Sequence, residues 1–402
     1  MLRASGPTSV FFLALSVFWT GCGTTHVTCA AVSNSTCGCG SSGAIACPAD
    51  FAFLLYATTT SNQILGFSIS SSGSLSALPT TTGPANSGSV ATSFNTLEFA
   101  DISTNSVDSV TVDQVTGAVT PVQGSPFSLG TAGGGPTSIA IGPYGYLYAT
   151  EPNGTIVGLN TASEVGAYGP ALPNSPYPAG VAPSQMAFAA QGDSGTFFLY
   201  ASDPGDSIGG ILAYSFDLSG SLTPLQGSPF PTLPNANPSS VLFAPYFPSQ
   251  GTQGTQFLLV SLRGLAKVAV FAIDANNGGL TAVPGSPFSV GNGPGALAAD
   301  VSNHVFVMNA TDHTVSAFVL GSNGVLTAVG SPVSVGTASG GMAYAGYISS
   351  AEPFSSEALF VADTAASALW TLDIDQTTGQ LTPSRQPLPV SSPPLQLTFL
   401  GP

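Results

Sequence analysis

From residue 51 on, short apolar runs alternate with clusters of Gly, Pro, Ser, Thr and Asn. This punctuation predicts β-strands joined by tight turns. The runs come in sets of four. The first of each set follows a Pro or Gly and is short and apolar, at residues 136–141, 183–188, 238–243, 294–299 and 340–344. The second reads Leu-Tyr-Ala-Thr or a variant of it, at 55–58, 147–150, 199–202, 305–309 and 359–363. The third alternates, as a strand with one buried face should, at 64–69, 211–216, 268–273, 315–319 and 369–374. A Gly-rich hairpin such as 375–379 then leads to the fourth.

The fourth run carries the motif Gly-x-Leu-Thr-x-Val/Leu-x-Gly-Ser-Pro-Phe. Clear copies start at Gly117, Gly220, Gly279 and Gly324, and weaker ones at Gly73, Gly166 and Gly379. Seven copies at spacings of roughly 42–60 residues match a four-stranded propeller blade. The first repeat starts directly with a second-type strand, and residues 394–400 look like an inner strand with no blade after them. The two complete each other and remove an exposed sheet edge; an open solenoid would leave a Leu-rich terminal strand unpaired. The expectation is an all-β, seven-bladed β-propeller of four-stranded blades over residues 51–402, its ring closed by the C-terminal strand completing the first blade.

Composition agrees with that fold. The 402 residues are 6% charged, with 48 Gly and 33 Pro spread through the turns. Length alone would suggest two or three domains, but a repeat array adds core with every unit. The net charge is −15, and the four basic residues are Arg3, Arg263, Lys267 and Arg385. These cannot build a groove that tracks phosphates, so neither nucleic acid nor an anionic lipid surface is an expected partner.

The N-terminus reads as a targeting segment. Arg3 is followed by an apolar core at 10–19, too short to span a bilayer. Trp19-Thr20-Gly21-Cys22 resembles a bacterial lipobox, which makes 1–21 a lipoprotein signal peptide and Cys22 the lipidation site; the alternative is an ordinary secretory signal. Gly23 after the cysteine favours the outer membrane or cell surface, with a periplasmic or secreted protein as the alternative. Export places Cys29, Cys37, Cys39 and Cys47, in the segment 22–50, in an oxidising compartment. Two disulfides with three possible pairings are expected there.

The second-strand pattern, the Asp-x-x-Thr-Gly-x-Leu-Thr hairpins (113–120, 375–382) and the Gly-Ser-Pro-Phe loops together resemble the lactonase-type seven-bladed propellers, the 6-phosphogluconolactonase-like and YVTN repeat proteins. The resemblance covers about residues 51–402. It implies lactone hydrolysis at the centre of one face, with Arg, Lys and His presented to phosphate and oxyanion.

In such a ring the loops between second and third strands open on one face. Here they carry Asp101, Glu151, Asp203 with Asp206, Arg263, Asp312 with His313, and Asp363. One expectation is a cation site, such as Ca²⁺, on Asp101, Glu151, Asp203 and Asp363. A second is an active site with His313 as general base, Asp312 or Asp363 orienting it, and Arg263 steadying an anion. A third is that these Asp residues cap their own turns. His304 is expected at the opposite face in a structural role. Phe127, Phe230, Phe288 and Tyr177 are expected to pack between blades, and Asp217, Asp274 and Asp373 to close hairpins. Gly133-Gly134-Gly135 lacks the Lys-Ser/Thr and helix of a phosphate loop. A monomer binding an unidentified protein or small molecule on its loop face is the leading reading, with a lactonase acting on a sugar lactone as the alternative.

Overall fold

The computed structural model describes residues 53–401 apart from 71–72, 84–86, 94, 162–165, 191–196, 249–253, 338 and 347–356. Nearer the N-terminus it describes the backbone of three short strands, Ala31–Val32, Thr36–Gly38 and Ala44–Ala46, paired antiparallel in that order. The expected signal peptide, the lipidation site Cys22 and the side chains of Cys29, Cys37, Cys39 and Cys47 lie outside the described residues.

Seven antiparallel sheets form a ring. Blades 1 to 7 have as second strands Phe53–Thr59, Thr96–Asp101, Leu147–Glu151, Phe197–Asp203, Gln256–Leu262, His304–Asn309 and Glu357–Asp363. These strands are sandwiched between neighbouring blades, so nearly every residue is buried and the sequence reads as an apolar run. The C-terminal strand Pro394–Leu400 pairs with Phe53–Thr59, Leu400 opposite Leu54, and closes the ring as expected. The core is divided among seven seams, one between each pair of adjacent blades. Phe230, Phe288 and Tyr177 pack in three of them, and Phe127 meets Tyr168 of the next blade edge-on at 5.6 Å.

The repeat motifs have a physical reading. In every blade but the sixth the outer strand splits in two, as in Val119–Pro121 and Phe127–Ser128, both paired with the third strand; in blades 2 to 5 a Ser-Pro turn joins the pieces. The turn between the pieces leaves a third-strand amide without a ladder partner. The serine of Gly-Ser-Pro-Phe supplies it: Ser109, Gly158, Ala213 and Val270 donate their N–H to the hydroxyls of Ser125, Ser175, Ser228 and Ser286 at 2.9–3.0 Å. Blade 6 is one residue shorter between Val329 and its Gly-Ser-Pro, and its outer strand runs unbroken from Leu326 to Ser334. The Tyr of the second strand and a Gly at or one residue before the start of the fourth-strand motif are partners across a seam. Tyr56, Tyr148 and Tyr200 donate their hydroxyls to the carbonyls of Gly117, Gly220 and Gly278 in the following blade, at 2.7–2.9 Å.

His304 begins its strand on the face opposite the loops. It is buried, and its Nδ1 lies 2.6 Å from Asp300. Asp217 and Asp274 close hairpins by accepting backbone N–H groups of Ser219 and Asn276. Asp373 differs from expectation. It sits inside the third strand Ala368–Ile374, opposite Ala358, and the hairpin carboxylate is Asp375. The offset is two residues, so strand alternation alone could not separate the candidates.

Candidate functional site on the loop face

Four of the carboxylates expected on the loop face, Asp101, Glu151, Asp203 and Asp363, end second strands, while Asp206 and Asp312 lie in the turns beyond, and each of the four is engaged close to its own blade. Asp203 accepts the backbone N–H groups of Val181 and Ala182 in the incoming link, at 2.8 and 2.9 Å, and that of Gly205 in its own loop. Asp363 accepts from Thr337 in its link and Ala366 in its loop. Glu151 holds the hydroxyls of Thr131 and Thr155. Asp101 accepts from Ser103 and Thr104; burial opposes its ionisation, but these hydrogen bonds outweigh it and hold the carboxyl below its usual range. Asn309 does the same work in blade 6, accepting from Gly291. The links approach so closely that a Cβ at Gly180 or Gly336, both at positive φ, would collide with the Asp203 or Asp363 carboxyl.

The four carboxylates proposed for a cation are therefore not brought together. Glu151, Asp203 and Asp363 each hold the link into their own blade and Asp101 caps its own turn, and among the described residues no group of three or more His, Cys, Asp or Glu side chains could hold a metal ion. Each of the four is taken up by donors of its own turn or link instead.

Blade 5 breaks the pattern. Its second strand ends in Leu262, which offers no anchor, and continues into a 3-10 turn, Arg263–Leu265. Beside this turn an open cleft of about 670 Å³ lies at the boundary of blades 5 and 6. Its walls include Asn237, Arg263, Leu265, Ala266, Asn292, Gly293 and Thr311. Asn237 and Gly293 directly precede the inner strands Pro238–Pro245 and Pro294–Ala299, so the cleft lies at the inner ends of two blades. Arg263 is exposed, and no carboxylate of the described residues lies within ion-pairing distance of it. Lys267 opens the third strand four residues on, so two of the chain's four basic residues border one loop.

Of the three residues expected to form an active site, only Arg263 lines this cleft. Asp312 sits behind Asn292, accepting its backbone N–H at 2.6 Å and its side-chain amide at 2.9 Å. Those bonds hold the Asp312 carboxyl below its usual range, which makes it a weak proton acceptor. His313 is half-buried at φ 53°, and its Nδ1 is buried without a partner. It is not part of the cleft wall, and Asp363 is engaged on another blade. Sequence reasoning missed Asn237, Asn292 and Thr311. The available signal was Leu262, an apolar residue where the sister strands end in Asp, Glu, Asn or, in blade 1, Thr59.

The architecture defines a seven-bladed β-propeller of four-stranded blades. A protein of Bacteroides fragilis provisionally assigned as a 6-phosphogluconolactonase superposes with TM-score 0.68 at 17% identity, covering 88% of this chain and 99% of its own. The periplasmic gluconolactonase of Pseudomonas aeruginosa superposes with TM-score 0.67 at 19% identity, over 87% of this chain and 99% of its own. A Bacteroides uniformis protein with the same provisional assignment as the first gives 0.68 at 16%, over 87% and 100%. At these identities the likeness is one of fold. No family model matches the sequence, and no curated protein does.

Proposed function

We propose that this chain is an exported binding propeller that takes a small anionic ligand in the loop-face cleft between blades 5 and 6. The observation that carries the reading is Arg263. A guanidinium with no carboxylate partner among the described residues, in a chain of net charge −15, is a site kept free for an anion from outside. The side-chain amide of Asn237, the hydroxyl of Thr311 and the backbone of the Arg263 turn supply polar groups around it. The same face is available to a protein partner carrying such a group. The anchor proposed for export is a lipid on Cys22, at the outer membrane or cell surface, with the rest of the molecule a monomer. The periplasmic location of the Pseudomonas aeruginosa neighbour supports export.

The second reading is a lactonase acting on a sugar lactone, favoured by the names of the neighbouring structures and by an arginine that could stabilise a developing oxyanion. Hydrolysis needs a base to activate water, and no carboxylate or imidazole lines the cleft beside Arg263. Assaying the full chain with glucono-δ-lactone, in parallel with a thermal-shift titration by gluconate and inorganic phosphate, separates the two. Stabilisation by an anion without turnover supports binding. Turnover abolished by Arg263→Ala establishes the lactonase reading in its place.

A further inference from the structure

Three blades strap themselves to the next by a tyrosine, and each of these tyrosines stands three residues before the end of its second strand: Tyr56, Tyr148 and Tyr200. In blade 2 the same position is Glu98. The side chain is fully buried, 0% exposed, in a seam with blade 3. Its Oε1 accepts hydrogen bonds from the Thr96 hydroxyl at 2.7 Å and from the hydroxyl of Tyr168, in the outer strand of blade 3, at 3.2 Å. Its Oε2 is buried and makes no hydrogen bond of ordinary geometry; directly opposite on the third strand, the buried hydroxyl of Ser109 is the donor available to it. Gly166, the hairpin glycine of blade 3, closes over Ser109 and Thr96 so tightly that a Cβ there would touch both.

The Ser109 hydroxyl can donate to Oε2 in either state, so the cost falls on the charge itself, a carboxylate taken fully out of water in a dry seam. A carboxylic acid can donate from Oε2 to Ser109 Oγ, whereas a carboxylate only accepts. No lysine, arginine or histidine of the described residues faces the pair to stabilise a charge. Ala91 lies opposite Glu98 on the inner strand, Tyr168 is the ionisable group facing it from blade 3, and Asp108 points to the other face of the third strand. We propose that Glu98 is a buried carboxylic acid whose proton completes the strap between blades 2 and 3, so that this seam, unlike the tyrosine-strapped ones, loosens as pH rises.

Burial pushes the Glu98 carboxyl up to about 7, against the smaller opposing effect of its hydrogen bonds. A folded-state value above the unfolded one means the contribution is complete in acid and is lost as pH rises through neutrality. The test is a series of thermal melts of the full chain from pH 5 to 8, with Glu98→Gln beside the wild type. Glutamine keeps the shape and donates at every pH. The variant should match the wild type at pH 5 and melt several degrees higher at pH 8. A ¹³C-carboxyl NMR titration of Glu98 in the wild type, independent of how the variant folds, should show a midpoint near neutrality. Glu98 titrating in the ordinary carboxylate range, or a Gln variant that loses stability with pH as the wild type does, would overturn the proposal.

Discussion

Asp203 shows how carboxylates are used on the loop face. It lies buried at the end of a strand and satisfies three backbone N–H groups drawn from two segments, a role that turn preferences foretell only in outline. Asp203→Ala would leave those donors without an acceptor and is expected to cost about 2–4 kcal/mol in denaturant unfolding. Asp206, which accepts from Ile208 in an exposed turn, should cost about 0.5–1 kcal/mol by the same change. Equal losses at both positions would argue against the anchor role. At this scale the sequence was legible in residue type and not in partner. That Asp101, Glu151, Asp203 and Asp363 lie near one face follows from strand periodicity. That Asp203 and Asp363 turn to their own blades depends on link backbones arriving from outside the local sequence, whereas Asp101 caps its own turn, as turn chemistry foretells.

At the scale of elements, much of the architecture was written in periodicity. The inner, second and third strands, the hairpin glycines and the closing strand stand where alternation and turn residues put them. The splitting of the outer strands was not legible, because the Gly-Ser-Pro-Phe turn is defined by a hydroxyl filling a gap in a neighbouring ladder. The closing strand is the element with the largest expected effect. Removing residues 394–402 would strip the inner strand from blade 1, expose the edge of Phe53–Thr59 and uncover Leu55 and Ala57 in the seam with blade 7. That truncation is expected to abolish soluble, cooperative folding, read as loss of the melting transition. A truncated chain that melts as the full one does would mean the ring is not closed through this strand.

For the molecule as a whole, protonation sets the conditions under which the ring is firm. Asp101, Asp113, Asp217, Asp312 and Asp375 are held below their usual range, mainly by hydrogen bonds from their own turns or links. Their contribution is present above the unfolded carboxylate range and is lost as pH falls through the folded values. Three buried groups act in the opposite sense. Burial pushes Glu98 and Glu357 up, with the Asp300 charge adding to the effect on Glu357. Burial opposes the charge on His304, but its hydrogen bond to Asp300 and the surrounding carboxylates raise it overall. These contributions are complete in acid and are lost as pH rises through the folded values. Relief of the −15 charge on acidification works in the same direction. Melting temperature is therefore expected to peak in the mildly acidic range and to fall toward both pH 3 and pH 8. A maximum above pH 7 would contradict this balance.

The central claim is that blade 5, having lost its link anchor, presents Arg263 to an anion. Isothermal titration of the full chain with gluconate and with inorganic phosphate, repeated on Arg263→Ala, tests it most directly. The account predicts saturable binding of at least one anion by the wild type, weakened tenfold or more in a variant whose melting temperature is unchanged. Anion binding of equal strength in both proteins, or none in either, would contradict it.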